Sequence, residues 1–295
     1  MKSIFAFFGI AFAALSQNVL ATQKDELNQA VAPERIVASG GSITEIIFAL
    51  GEAHRLVGVD STSVYPKEAT ELPQIGYVRN LSPEGVLSLR PDLLLGEADT
   101  GPVKVVEQLK TAGLTMQILQ GQDSFFDIEK KVRIIAATLK AEDKGEALVT
   151  SILQAREQRE TLLAHVTKKP KVLFVLGMRS GQPIVAGKDT SANEIIEAAG
   201  AINIAANAFS GWKPLSPEAA VALAPEVILG MARHDTETKI DLSKMSHFAM
   251  SPAVQNQRVY VFDGNYLLGM GPRTPTAVVE LIRVLYPQLT SVVSR

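Results

Sequence analysis

Two short loops hold the residue types with the most chemistry to offer. One reads "IGYVRNLSPE" and the other "SGWKPLSPE". Each sets a glycine, an aromatic and a basic residue directly before a helix start: Tyr77 with Arg79, and Trp212, the only tryptophan, with Lys213. A phenolate is a hard anionic donor suited to ferric iron, and tyrosine is one of the side chains that ligate haem iron. A phenol with an ordinary pKa near ~10 needs something to favour its anion. Arg79 is close enough in sequence to do so by charge and hydrogen bonding, or to reach a ligand carboxylate. The plain alternative is that each ring caps a core. A Tyr and an Arg one residue apart in a loop are an odd core filler; for Trp212 the two readings stand level.

The second half adds Met178, Arg179, Met231, Arg233, Met270 and Arg273 near predicted strand ends. Flexible methionines suit a broad apolar ligand face and arginines suit propionates, although methionine also fills cores and arginine also coats surfaces. No catalytic pattern is present: there is no G-x-S-x-G, no H-E-x-x-H and no G-x-G-x-x-G. "SGGSIT" lacks the Walker lysine and reads as a tight strand-to-helix turn. His54, His165, His234 and His247 are scattered, which does not suggest the converging ligands of a zinc or manganese site.

The elements that must position these residues are written twice. "LSPEGVLSLRPDLLLGEA" (81–98) and "LSPEAAVALAPEVILGMA" (215–232) share 9 of 18 positions. "TEIIFALG" (44–51) and "NEIIEAAG" (193–200) share 5 of 8. In each half a strand and a Gly- or Ser-rich turn lead into a helix, and a second helix stops at Pro91 or Pro225 before an apolar strand. Ser42 is the expected N-cap of the first of these helices, with Glu45 completing a capping box. The pattern predicts an α/β protein of two similar lobes with mostly parallel central sheets and a ligand cleft between them. The expected boundaries are 34–140 for the first lobe, 143–167 for one long linking helix of about 30 Å, and 170–289 for the second lobe. A stiff strut of that kind implies modest opening and closing.

Residues 1–21 carry Lys2, an apolar run and a small-residue ending, the pattern of a signal peptide cleaved after Ala21. With no cysteine, neither disulfides nor thiolate sites nor a Cys-linked lipid are available. A formal net charge of −2 offers no basic field for nucleic acid. These features together predict an exported, soluble periplasmic protein without stable membrane insertion.

From "RIVASGGSITEIIFALG" to "GMGPRTPTAVVELI", and most specifically in "GYVRNLSPEGVLSLRPD", the chain resembles the periplasmic haem-binding proteins of bacterial haem ABC importers. Those are relatives of the vitamin B12 and siderophore binders with a rigid interlobe helix. The resemblance implies Tyr77 as axial iron ligand with Arg79 supporting it. It implies ferric haem as transported ligand, no catalytic cofactor, a monomer, and delivery to an inner-membrane permease dimer with its ATPase. It also implies a glutamate on each lobe that docks on the permease, matched here to Glu45 and Glu194. The second-lobe loop "LGMRSGQPIVAG" has no His or Tyr to add a second iron ligand. A corrinoid or a ferric siderophore is the alternative cargo, and an exported α/β hydrolase the alternative class.

Overall fold

Ile36, Val37 and Ala38 are apolar and fully buried on both faces of the first strand, the pattern of a strand covered by helices on either side. The computed structural model describes residues 32–121, 124–232 and 241–291, so the expected signal peptide and Arg233 lie outside the described residues. The first half contains β1 (Ile36–Ser39), α1 (Gly41–Ala49), β2 (Leu56–Val59), a short hairpin of β3 (Gly76–Tyr77) and β4 (Asn80–Leu81), α2 (Pro83–Ser88), β5 (Leu93–Glu97), α3 (Val103–Thr111), β6 (Met116–Leu119) and α4 (Ile128–Leu139). Its sheet runs β2-β1-β5-β6, all parallel.

After α5 (Glu142–Leu163), the second half contains β7 (Lys171–Arg179), β8 (Gln182–Ala186), α6 (Ser191–Ala198), β9 (Ile202–Asn203), β10 (Trp212–Pro214), α7 (Pro217–Leu223), β11 (Val227–Ala232), α8 (Pro252–Gln255), β12 (Val259–Asp263), α9 (Gly264–Leu268) and α10 (Thr274–Leu285). Strands β9, β7, β11 and β12 are parallel neighbours in the same relative order as β2, β1, β5 and β6. The sequence repeat is therefore a structural repeat: two α/β lobes with parallel central sheets. The second lobe differs by the antiparallel additions β8 and β10. Both repeated Pro stops are preceded by a non-glycine residue at positive φ, Arg90 at 47° and Ala224 at 43°, which ends each helix before its strand.

The 22-residue helix α5 joins the lobes and spans about 33 Å at 1.5 Å per residue. Gly145, Val149, Ile152, Arg159 and Leu162 form its buried stripe. It packs on α4 from the first lobe and α10 from the second. At Gly145 a Cβ would lie 2.5 Å from Ala136 Cβ, so only glycine lets α4 and α5 approach this closely. Arg156 ion-pairs with Glu129 and donates to the Phe125 carbonyl, while Arg159 Nε donates to the Ala198 carbonyl at 2.5 Å. The strut is thus bonded into both lobes, and one apolar cluster runs from Ile43 through Ile152 to Ile282.

Glu52 ties the first lobe to the strut through Lys144 (Nζ–Oε1 2.7 Å) and also pairs with Arg55. The Lys144 hydrogen bond, with the Arg55 and Lys144 charges, outweighs burial and holds its carboxyl below the usual 4.5. A depressed folded pKa contributes stability that is present above the unfolded value and is lost as pH falls through the folded one. Melting of the wild type should therefore lose temperature between pH 5 and pH 3 more steeply than that of Glu52→Gln; equal slopes would remove Glu52 from the acid response.

Candidate functional site

Tyr77 sits at the tip of the β3–β4 hairpin, where Val78 and Arg79 make a two-residue turn between it and Asn80. Gly76 has φ 103°, and a Cβ there would meet the Asn80 carbonyl at 2.7 Å, so glycine is required before the tyrosine. The hairpin is pinned to its own lobe. Ser61 N donates to the Gly76 carbonyl (2.8 Å), Gly101 N to the Val78 carbonyl (2.9 Å) and Leu81 N to the Gly101 carbonyl (2.9 Å). Val78 is buried while the Tyr77 ring is 45% exposed, so the turn anchors by its valine and presents its phenol.

Tyr77 and Arg79 line a cavity of about 190 Å³ between the lobes, with Tyr65, Thr62 and Asp99 from the first lobe and Asn265, Leu268 and Gly269 from the second. Arg79 also borders an adjoining cleft of about 750 Å³ whose second-lobe wall includes Lys188, Thr190, Asn207 and Trp212. Arg79 Nε donates to Asp99 Oδ2 at 2.7 Å. Burial works against the Arg79 cation, but the hydrogen bond and charge of Asp99, with smaller contributions from Tyr77 and Glu97, hold its pKa above the ordinary arginine value. Its guanidinium is a permanent positive charge beside Tyr77, with further donors for a ligand carboxylate.

The loop carrying Tyr65 is organised by the fully buried Asp60. Its carboxylate accepts from Gly40 N (2.8 Å), Thr62 N (2.9 Å), Thr62 Oγ1 (2.8 Å) and Ser63 Oγ (3.1 Å). Gly40, not Ser42, is the N-cap of α1, and no side chain caps that helix. Ser42 Oγ donates to the Glu97 carboxylate and accepts from the buried Lys131 Nζ (2.9 Å). The expected capping box does not form because Glu45 points across to the other lobe.

The remaining predicted residues are dispersed. Trp212 on β10 lies in the larger cleft, its ring edge-on to Phe174 at 6.0 Å, so it serves core and cleft wall together. Met178 and Arg179 are exposed at the end of β7, and Arg179 has no ion-pair partner among the described residues. Met270 corrects the expectation of an apolar ligand face: it is 5% exposed and packed in the main core, with its carbonyl 3.4 Å from Lys131 Nζ. Arg273, expected to support the ligand, is engaged across the lobes. Its Nη2 bonds Glu45 Oε2 at 2.8 Å and its guanidinium carbon lies 3.3 Å from the Tyr65 ring centroid. Glu45 is 7% exposed, and Glu194 accepts from Ser124 Oγ (2.6 Å) and Phe125 N (2.8 Å). Both carboxylates, expected to dock on a permease, are hydrogen-bonded within the molecule, Glu45 buried and Glu194 half-buried.

Sequence reasoning missed Tyr65 and Lys188. Tyr65 lies in "STSVYPK", where no glycine marks the turn; the arginine over its ring comes from 208 positions away. Tyr266 also lies near Arg273, but burial first, then the hydrogen bond and charge of Glu280, push it up to about 12, which keeps it a neutral phenol. Among the described residues no cluster of three His, Asp or Glu forms a metal site, and no helix is long and apolar enough to cross a membrane.

Two α/β lobes on a stiff helix with a cleft between them are the architecture of a binding protein. The chain belongs to the periplasmic binding protein family, whose model matches residues 36–266. It is 31% identical to the uncharacterized ABC transporter substrate-binding lipoprotein YvrC of Bacillus subtilis, over 90% of this chain and 85% of that one. It is 27% identical to the vitamin B12-binding protein of Vibrio parahaemolyticus, over 84% of this chain and 88% of the relative. Its fold matches the apo periplasmic heme-binding protein RhuT from Roseiflexus sp. RS-1 with a TM-score of 0.79 and 39% identity, covering 86% of this chain and 98% of that one.

Proposed function

We propose that this protein captures ferric haem in the periplasm through Tyr77 and hands it to an inner-membrane ABC importer. The observation that carries the reading is the hairpin that exposes the Tyr77 phenol to an interlobe cavity with the Arg79 cation beside it. A phenolate next to a permanent cation is a hard ligand for ferric iron. The adjoining cleft, within the ~300–1,000 Å³ range of small-molecule sites, offers Trp212 as a flat wall and Lys188 and Arg79 for carboxylates. The likeness to a heme-binding structure supports the same cargo. Titration of ferric haem into the purified protein should give a saturable Soret band with a high-spin charge-transfer feature. A spectrum that stays that of free haem would overturn the reading. The vitamin B12-binding relative favours a corrinoid as second reading; cyanocobalamin that displaces haem, or binds where haem does not, would select it.

The importer-facing carboxylates are then the ones that the repeat displays. Glu84 and Glu218 occupy matching positions in the two "LSPE" helix starts, and both are exposed. The backbone N–H of Glu218 itself and Ser216 keep its carboxyl below the usual range, so it is charged at neutral pH. Glu84→Ala with Glu218→Ala should lower haem-dependent ATPase stimulation of the reconstituted importer about tenfold while the haem titration is unchanged; undiminished stimulation would remove this pair.

A further inference from the structure

Glu45 and Glu194 are equivalent residues of the two repeats, on the first helix of each lobe. Neither bonds within its own lobe's helix start. Glu45, from α1, crosses to the second lobe, where Oε1 accepts from Arg273 N (3.2 Å) and Oε2 from Arg273 Nη2 (2.8 Å), directly before α10. Glu194, from α6, crosses the other way and accepts from Ser124 Oγ (2.6 Å) and Phe125 N (2.8 Å), just before α4. α4 and α10 are themselves equivalent: each follows the fourth parallel strand of its lobe, and both flank the linking helix. Each lobe's glutamate therefore accepts a backbone N–H at the entry to the last helix of the opposite lobe: Arg273 N immediately before α10, and Phe125 N in the 3-10 turn (Phe125–Asp127) that leads into α4.

We infer that Glu45 and Glu194 are positioning residues: they form a reciprocal clasp that sets the width of the cleft and aligns the Tyr77 wall with the Trp212 wall. Three further details fit this role. The Glu45 end is continuous with the ligand cavity, because Arg273 stacks on the Tyr65 ring and both Glu45 and Tyr65 line that cavity. The Glu194 end is braced by the strut, since Arg156 donates to the Phe125 carbonyl and lies over the Phe125 ring at 5.1 Å. Buried Lys131 spans the same seam, reaching from α4 to the Met270 carbonyl. Two clasps across one rigid-body interface reinforce each other, because closing either removes freedom that the other would otherwise have to restrain. The energetic signature is coupling between two ends that do not touch.

The clasp itself does not require a ligand; its effect on cargo retention rests on the haem reading. The test compares Glu45→Ala, Glu194→Ala and the double variant, with Glu45→Gln and Glu194→Gln as size-preserving controls. Since the chain has no cysteine, spin labels at Lys104→Cys and Gln182→Cys report the interlobe distance directly. In the apo protein, Glu194→Ala should speed amide exchange about tenfold at Arg273 as well as at Phe125, and Glu45→Ala should do the converse. The distance distribution should broaden in either single variant, with the double variant adding little, and the Gln variants should fall between. Exchange confined to the mutated end, with an unchanged distance distribution, would overturn the clasp. Haem should dissociate about tenfold faster from the Ala variants, with the Soret maximum shifted as the iron geometry relaxes. A wild type that binds no haem would defeat the haem reading alone, leaving exchange and distance to decide the clasp.

Discussion

Tyr77→Phe is expected to remove the ferric-phenolate charge-transfer band and to weaken haem binding about a hundredfold, the loss of a principal binding contact. The substitution deletes one oxygen and leaves the ring, so the cavity wall and the buried Val78 anchor persist. The Arg79–Asp99 pair (2.7 Å) does not depend on the phenol and stays in place. What would be lost is the phenolate oxygen proposed to hold the iron. Tyr77→Ala should lose the same band and weaken binding further by opening the wall. Absorption titration distinguishes the outcomes. A phenolate band that survives Tyr77→Phe but vanishes when Tyr65→Phe is added would move the iron ligand to Tyr65, the second phenol on the cavity. A band that survives both would end the tyrosinate mechanism.

The largest effect on stability is expected at Asp60. Its carboxylate is fully buried and satisfies donors from Gly40, Thr62 and Ser63 without an ion-pair partner among the described residues. Replacing it with alanine removes the acceptor of the buried Gly40 N–H and Ser63 hydroxyl and of the half-buried Thr62 donors, and each buried group left without one costs about 1–3 kcal/mol. The total should be about 3–5 kcal/mol, or on the order of 10 °C in melting temperature for a chain of this size. Asp60→Asn keeps one acceptor but turns an N–H toward Thr62 N, so it should fall between the two. Because Gly40 starts α1 and Thr62 leads to Tyr65, the same change should also loosen the first-lobe side of the cavity. Calorimetry checks the first expectation and amide exchange at residues 60–65 the second; a melting temperature within 2 °C of wild type would refute the account of this network.

The local grammar of the chain was legible without coordinates. Serine at 82 and 216, proline after it, and Pro91 or Pro225 beyond fix α2 and α7 in both lobes, because caps and stops act within a few residues. The linking helix was legible for the same reason, although its end at Leu163 falls short of the expected 167. The Gly76–Tyr77–Arg79 turn could be singled out because a glycine, a phenol and a cation stand together in one loop. Even the two matched glutamates were visible as a pair. Their destinations were not. Glu45 meets Arg273 across 228 positions and Glu194 meets Phe125 across 69. Met270, placed on the ligand face by its location near a predicted strand end, turns into the core instead. Tyr65 gains its arginine only when the second lobe closes on the first. Periodicity, caps and turns are set by interactions between near neighbours, and the sequence alone determined them. Which carboxylate is spent inside and which is shown to solvent depends on how two repeated lobes pack against one strut, and only the tertiary structure decided that.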